Sequence, residues 1–367
     1  MTLLTDDQKM LQDTAASFLA DEGGPAKQLR PLRDQGCSDG FSDDLWTKFA
    51  ELGLSAVAIP ESHGGVGLGA TEAALILEEI GRNLTPSPFL ISGIAAARAI
   101  AGTAQADAWY PRILAGQAIL ALAVDEGPRH NPEAIALFAK RQGNGFVLNG
   151  DKQFVVQGDS ADMIVTAART ENGITLFAVP KGAAATENVT LVDGSKSARL
   201  HFDNVAIDAD AVIGEIDGGL VPLNRALDAG RAGAAAELVG VAAGISAMTV
   251  DYLSQRKQFG RMIGEFQALQ HRAAHLYGEI EIARAAALKA AQLLDSDDSS
   301  ASLFVSVAKA KAADVAGIAA REGVQMHGGI GMTDEHDAGL YLKRAAVLEE
   351  LFGDLYFHRE RVAALSG

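Results

Sequence analysis

A single cysteine, Cys37, in 367 residues removes an intrachain disulfide, a cysteine-rich metal centre and a dithiol redox pair together. Basic residues are also short, with 31 Lys+Arg against 47 Asp+Glu and a formal net charge of −16. Such a surface repels nucleic acid and anionic lipid, and no Lys/Arg run or basic-aromatic stripe offsets it locally. An anionic ligand therefore needs a focused site. Uninterrupted apolar runs long enough to span a bilayer are missing, and the opening MTLLTDDQKM is polar and acidic, unlike a secretory or mitochondrial leader. The expectation is a cytoplasmic protein without a membrane span. Proline is scarce as well, and none follows Pro222.

What is present is a chain 48% apolar, enough for a large core and long enough for two or three domains. From Leu4 to about Gly102, segments such as TEAALILEEIGRNL repeat apolar residues at helical spacing, with Thr71 placed to cap a helix over Ala73 to Ile80. Between Gln117 and about Gly219 the pattern becomes short alternating runs, among them GFVLNG, MIVTAA and ITLFAVP, separated by Gly, Asn and Asp turns. After Pro222, Ala, Leu, Glu and Arg give four helical segments near 223–257, 266–294, 299–326 and 334–364. The predicted fold is α+β and multidomain: an N-terminal helical domain (1–115), a middle antiparallel β-sandwich or barrel (116–220) and a C-terminal four-helix bundle (221–367). A cleft between sheet and bundle is the expected place for a ligand.

Three glycine or cationic motifs are candidates for binding. The segment GGVGLGA, Gly64 to Ala70, contains a Gly-x-Gly-x-x-Ala fingerprint, but its flanks are helical rather than βαβ, which favours a surface loop. Arg256-Lys257-Gln258-Phe259-Gly260 ends one long helix and precedes Phe266-Gln267. A guanidinium there can hold a pyrophosphate by paired hydrogen bonds, and it also suits a helix C-terminus. Gln325-Met326-His327-Gly328-Gly329-Ile330-Gly331 is a glycine turn between helices, whose N–H groups can meet phosphate oxygens or simply cap a helix.

RKQFG followed by FQ, then QMHGGIGMTDEH, resembles the acyl-CoA dehydrogenase family in order and spacing. LGLSAVAIPESHGGVGLG, LEEIGRNLTPSPF and NGDKQFVVQGDSADM extend the likeness over nearly the whole chain. The resemblance implies an FAD enzyme that forms a 2,3-enoyl-CoA by α-proton abstraction and hydride transfer to flavin, passing electrons to an electron-transfer flavoprotein or similar acceptor. It implies that Arg256 and Phe259 reach the FAD of a neighbouring subunit, with Gln267 near the adenine half. Gln325, Gly328 and Gly329 then receive the pyrophosphate and ribitol of that flavin, in a tetramer built as a dimer of dimers. Asp228 and Arg231 match positions that meet the CoA of the substrate.

The departures are as specific as the matches. The family's base is a Glu immediately before a Gly, and here that pair reads Phe352-Gly353; the alternative base position, just before the Arg of ALDAGR, is Gly230. A phenyl ring accepts no proton. Glu237, two turns beyond Gly230 in the apolar stretch AAAELVG, is the candidate substitute, alongside a purely structural role. Where the family has Thr-Glu-Pro, the chain has Asp125-Glu126-Gly127, and Phe154-Val155-Val156 keeps an aromatic wall but loses a hydroxyl donor to the flavin. Two readings follow: a dehydrogenase, alone or as one subunit of a hetero-oligomer, and a silent homologue that completes a partner's FAD site. No metal site is expected from Glu335-His336-Asp337 or from His271 and His275.

Overall fold

The computed structural model describes residues 4–367. Helices α1 (Asp6–Phe18), α2 (Leu29–Asp34), α3 (Asp43–Glu51), α4 (Ala70–Asn83), α5 (Ala97–Ile100) and α6 (Ala104–Leu114) lead into strands β1 (Leu120–Ala123), β2 (Phe138–Gln142), β3 (Gly145–Val156), β4 (Met163–Arg169), β5 (Ile174–Pro180), β6 (Ala185–Thr190), β7 (Lys196–Ile207) and β8 (Val212–Ile213). Then come α7 (Leu220–Gln255), the short strands β9 (Lys257–Gln258) and β10 (Arg261–Met262), α8 (Gln267–Asp295), α9 (Ala301–His327), α10 (Ala338–Glu350) and α11 (Leu355–Ser366). Contacts divide the chain into two compact units, one of Pro31–Gly69 and Pro86–Gly230, the other of the residues up to Arg30, Ala70–Thr85 and Arg231–Gly367.

The first unit is built on the sheet, whose strand order is β6-β7-β3-β2-β4-β5-β8 with β1 parallel to β4. β2 meets β4 through one residue pair, Phe138 with Arg169, so the sheet bends there into two halves. Phe146 of β3 and Phe177 of β5 lie ring to ring at 5.1 Å, which requires the halves to face each other. The core between them holds Leu148, Val155, Val179, Leu200 and Phe202. Strand β7 has the alternation this needs: Ala198, Leu200 and Phe202 are buried while Arg199, His201 and Asp203 are exposed. The expected sandwich is thus one folded-over sheet, mainly antiparallel.

The second unit gathers α1 and α4 with the C-terminal helices. Helix α7, unbroken over 36 residues, takes Pro222 in its first turn, where no N–H is required, and enters this unit at Arg231. By length and composition it could cross a membrane, but 78% of its most apolar window is buried inside the protein, as in a core helix. Helix α4 crosses it closely: a Cβ on Gly240 would stand 1.9 Å from the carbonyl oxygen of Glu78, and one on Gly81 2.1 Å from that of Glu237. Only glycine permits that approach.

Two expectations are corrected here. Thr71 lies inside α4 rather than capping it; the start of the helix is capped by Asp295, whose carboxylate accepts from the N–H of Thr71 at 3.0 Å and from its hydroxyl at 2.6 Å. The segment 334–364 is two helices, not one. It breaks between Glu350 and Leu355, where Phe352 (φ 61°) and Gly353 (φ 108°) both take positive φ, a conformation that ends a helix.

Candidate cofactor site and the base positions

The end of α7 carries an exposed arm. Strands β9 and β10 pair across the two-residue turn Phe259-Gly260, with φ of 53° and 80°, the left-handed pair that tight hairpins favour. Arg256 and Lys257 are exposed at its base, and Phe259 at its tip is 91% exposed. The guanidinium of Arg261 lies 4.0 Å from the centre of the Phe266 ring, bracing the start of α8, where Gln267 is exposed. Phe259 meets the Phe266 ring edge-on at 6.2 Å between centroids, and the rest of its surface stays open to a partner from outside the chain.

Tyr252, whose carbonyl accepts from the N–H of Arg256 at 2.9 Å, brings this arm to the glycine turn. Its ring lies 4.5 Å from that of His327, the last residue of α9, and His336 lies 4.4 Å from His327 and 6.5 Å from Tyr252. Nδ1 of His327 is 2.7 Å from the carbonyl of Gly323, which makes it the donor and leaves Nε2 as a buried acceptor without a hydrogen-bond partner. Burial, first, then His336 hold the His327 imidazole below its usual pKa, against the favourable Gly323 hydrogen bond. Beyond it the turn is fixed by Arg30, whose guanidinium bonds Asp337 at 2.7 Å. The RKQFG and QMHGG motifs, distant in sequence, therefore share one corner of the bundle.

Gln325, Gly328 and Gly329 are exposed at that corner. Gly328 needs no special cause beyond its φ of 67°. Gly329 is different: its φ is ordinary and an added Cβ would meet nothing within 4 Å. Nothing in the chain's own packing requires glycine there, whereas a ligand lying on the backbone would. The open backbone, the amide of Gln325 and the cation of Arg256 suit the phosphate-bearing part of a dinucleotide.

In the sheet unit, Phe154 occupies a β-bulge, where the register of β3 against β7 shifts between Lys152 and Val155. Its φ of 52° is unusual for an aromatic residue and re-aims the ring out of the strand's alternation. The bulge is anchored on the Asp125-Glu126 segment. Gln153 N–H donates to the Asp125 carbonyl at 2.7 Å, and the buried Lys152 donates to Glu126 at 2.7 Å and to the Val124 carbonyl at 3.0 Å. Burial brings the Lys152 amine down to about 8, opposed by Glu126. Asp125 is itself held by Nδ1 of His130 at 2.8 Å.

Neither base position offers a carboxylate: Gly230 is buried within α7, and Phe352 is buried between α10 and α11. Glu237 is 1% exposed, but its surroundings are not wholly apolar, which corrects the expectation from AAAELVG. Arg344 of α10 reaches it with Nη2 at 2.5 Å and Nε at 2.9 Å. A carboxylate gripped twice by a guanidinium is already engaged, which fits a structural pair better than a base. Asp228 and Arg231, the positions matched to CoA contacts, are both buried. The Arg231 head is directed instead to the Phe352 carbonyl, 3.4 Å from Nε, and lies 5.4 Å from the Phe357 ring.

Several functional-looking residues escaped the sequence. Lys309 is fully buried, donates to the carbonyls of Glu349 and Gly353 at 2.9 and 3.1 Å, and is brought by burial down to about 7. Its signal was available: it continues the buried stripe Val305, Ala308, Ala312 and Ala316 of α9. Ser62, His63 and Asp107 also form a hydrogen-bonded line, Oγ to Nδ1 at 3.1 Å and Nε2 to Oδ1 at 2.9 Å, that no local motif announced. It lacks the donors an acyl-transfer site needs nearby, because the N–H groups of His63, Gly64 and Gly65 are all spent on Pro60 and Glu61 carbonyls. Of Glu335-His336-Asp337, His336 accepts from the Ala338 N–H and Asp337 pairs with Arg30.

Models of the acyl-CoA dehydrogenase N-terminal, middle and C-terminal domains match residues 5–117, 125–205 and 217–366. The chain is 34% identical over 343 residues to the acyl-CoA dehydrogenase IpdE2 of Mycobacterium tuberculosis, covering 93% of this chain and 91% of that one. Among solved structures it is similar to a variant of the Tcur3481-Tcur3483 steroid ACAD, at 29% identity and a TM-score of 0.90 over 98% of each chain. It is also similar to a chain of the ChsE4-ChsE5 complex from Mycobacterium tuberculosis, at 26% identity and a TM-score of 0.88 over 99% of this chain and 97% of that one.

Proposed function

Because the chain belongs to the acyl-CoA dehydrogenase family of FAD-dependent oxidoreductases acting on acyl-CoA, we propose that it serves as one subunit of a hetero-oligomeric dehydrogenase and completes the FAD site of a related chain that carries the base. The observation that carries this reading is a contrast: the RKQFG and QMHGG residues stand exposed at one corner, while no unengaged carboxylate occupies either base position. Two similar structures, Tcur3481-Tcur3483 and ChsE4-ChsE5, carry paired names in support.

In this arrangement Arg256, Gln325 and the backbone of Gly328 and Gly329 hold phosphate and ribitol oxygens, and Phe259 and Gln267 bracket the adenine half. Phe154, on the bulge of β3, is an aromatic wall for flavin. Bound FAD supplies the hydride acceptor for the β-hydrogen of an acyl-CoA whose α-proton passes to a carboxylate, giving a 2,3-enoyl-CoA. The partner contributes that carboxylate, and electrons leave to an electron-transfer flavoprotein or similar acceptor. The three domains of the assembly's subunits divide here at residues 116 and 221.

The test is a visible absorbance spectrum of the purified chain, alone and mixed with a family member bearing Glu-Gly at the corresponding turn, before and after anaerobic addition of acyl-CoA. Flavin that is bound and bleached only in the mixture is the expected result. A homomer whose own FAD is reduced by acyl-CoA at enzymatic rates would sink the proposal.

A further inference from the structure

The turn between α10 and α11 is held more firmly than a phenylalanine requires. Two of its carbonyls receive three buried donors. Arg231 Nε lies 3.4 Å and His358 Nε2 3.2 Å from the carbonyl of Phe352, while Lys309 Nζ lies 3.1 Å from that of Gly353 and 2.9 Å from that of Glu349. Arg231 and Lys309 come from α7 and α9, and His358 from α11, so three helices converge on two residues.

The backbone they hold is a costly one. Phe352 stands at φ 61°, in the left-handed region that a side chain with a Cβ avoids, and Gly353 follows at 108°. Burying a guanidinium and an amine to satisfy carbonyls is likewise expensive, since both polar groups leave water. A phenyl ring gains nothing from such a frame that an ordinary helix C-terminus would not give. Strained, over-determined turns of this kind persist where the direction of one side chain matters.

We propose that Lys309, Arg231 and His358 are positioning residues that fix the backbone of residue 352 so that its side chain is aimed for chemistry, and that this chain keeps the mount while carrying a phenyl group on it. The inference rests on the reading of the chain as a dehydrogenase subunit without its own base. What has been lost is then the carboxylate alone. Returned at position 352, a carboxylate would take the α-proton as the α C–H bond breaks and the α–β double bond forms, with bound FAD supplying the acceptor for the β-hydride.

The experiment compares wild type, Phe352→Glu, Phe352→Glu with Lys309→Met, and Phe352→Glu with Lys309→Arg, in the form that carries flavin, alone or with its partner. With straight-chain acyl-CoA thioesters of four to eight carbons in anaerobic mixing, Phe352→Glu is expected to speed reduction of this subunit's flavin about 100-fold, the scale of a positioned general base. Adding Lys309→Met should lower the rate constant at least tenfold with KM and flavin content kept, and Lys309→Arg should restore part of it. Crystal structures make the proposal independent of flavin: residue 352 stays left-handed in Phe352→Glu and leaves that region when Lys309 is Met. A relaxed backbone in Phe352→Glu, or flavin and acyl-CoA both bound without any gain in rate, overturns it. Absence of flavin from every form, with the backbone retained, counts against the subunit reading and not against the mount.

Discussion

The turns that follow α9 and α10 both depend on left-handed residues, Gly328 in one and Phe352-Gly353 in the other, yet they face opposite environments. After α9 the side of the turn is open: Gly328 and Gly329 are exposed and a Cβ on either meets nothing within 4 Å. After α10 the turn is closed, and a Cβ on Gly353 would lie 2.4 Å from the ring of Phe357. One turn is shaped for something outside the chain and the other by the chain itself. Glycine at an open site with ordinary φ points to a ligand, and glycine at a crowded site points to packing. The same distinction separates the exposed Arg256 from the buried Arg231.

The largest test of this contrast concerns Glu237, the buried carboxylate two turns along α7 from Gly230. If Glu237 is a structural partner of Arg344, Glu237→Gln removes one charge of the pair and costs about 3 kcal/mol in denaturant unfolding, with bound flavin unaffected in the molecules that remain folded. A variant as stable as wild type that has lost dehydrogenation in every assembly would return Glu237 to the role of base. The outcome decides between two uses of one residue.

The turns themselves can be compared by matched substitutions. Gly353→Ala forces a Cβ against Phe357 at a positive φ and is expected to cost about 2–3 kcal/mol. Gly329→Ala has room and an ordinary backbone, so unfolding should move by less than about 0.5 kcal/mol. Its effect belongs in flavin affinity, which should fall at least fivefold by fluorescence titration of the assembled protein. Equal losses of stability at the two glycines, or undiminished flavin affinity in Gly329→Ala, would break the contrast.

How much of this could be read from the residues depended on how far apart the partners lie. The helices after Pro222 follow from local pattern, and β7 from its alternation, because each is decided within a few residues. The cap of α4 was misjudged for the opposite reason: Thr71 looks like an N-cap locally, but Asp295, from the far end of α8, does the capping. Arg344 beside Glu237 and Lys309 beneath Gly353 are likewise supplied by other helices, so no window of sequence contains them. The break at Phe352 was hidden because nothing local favours a left-handed phenylalanine, and Arg231 and Lys309, which bond the carbonyls of its turn, come from other helices. Motif residues on the exposed corner were legible since their spacing is their signal.

The smallest expected effect tests how the open turn is fastened. Burial holds the His327 imidazole below its ordinary pKa, so the folded protein prefers the neutral ring more strongly than the unfolded chain does. The sign follows: this contribution is present above the unfolded value, about 6.5, and is lost as pH falls through the lower folded value. One proton sets a ceiling of about 1.4 kcal/mol per pH unit on the slope. Tyr252 from α7 and His336 stand against the ring, and the ion pairs of Arg30 with Asp334 and Asp337 fasten the segment that carries His336. Replacing His327 by Phe keeps an aromatic against Tyr252 and removes the proton acceptor. Unfolding free energies of the two proteins between pH 5 and 7.5 should therefore converge or cross toward acid pH, wild type losing stability faster. Parallel curves would mean that His327 fastens the corner by packing alone, as the crowded turn after α10 fastens itself.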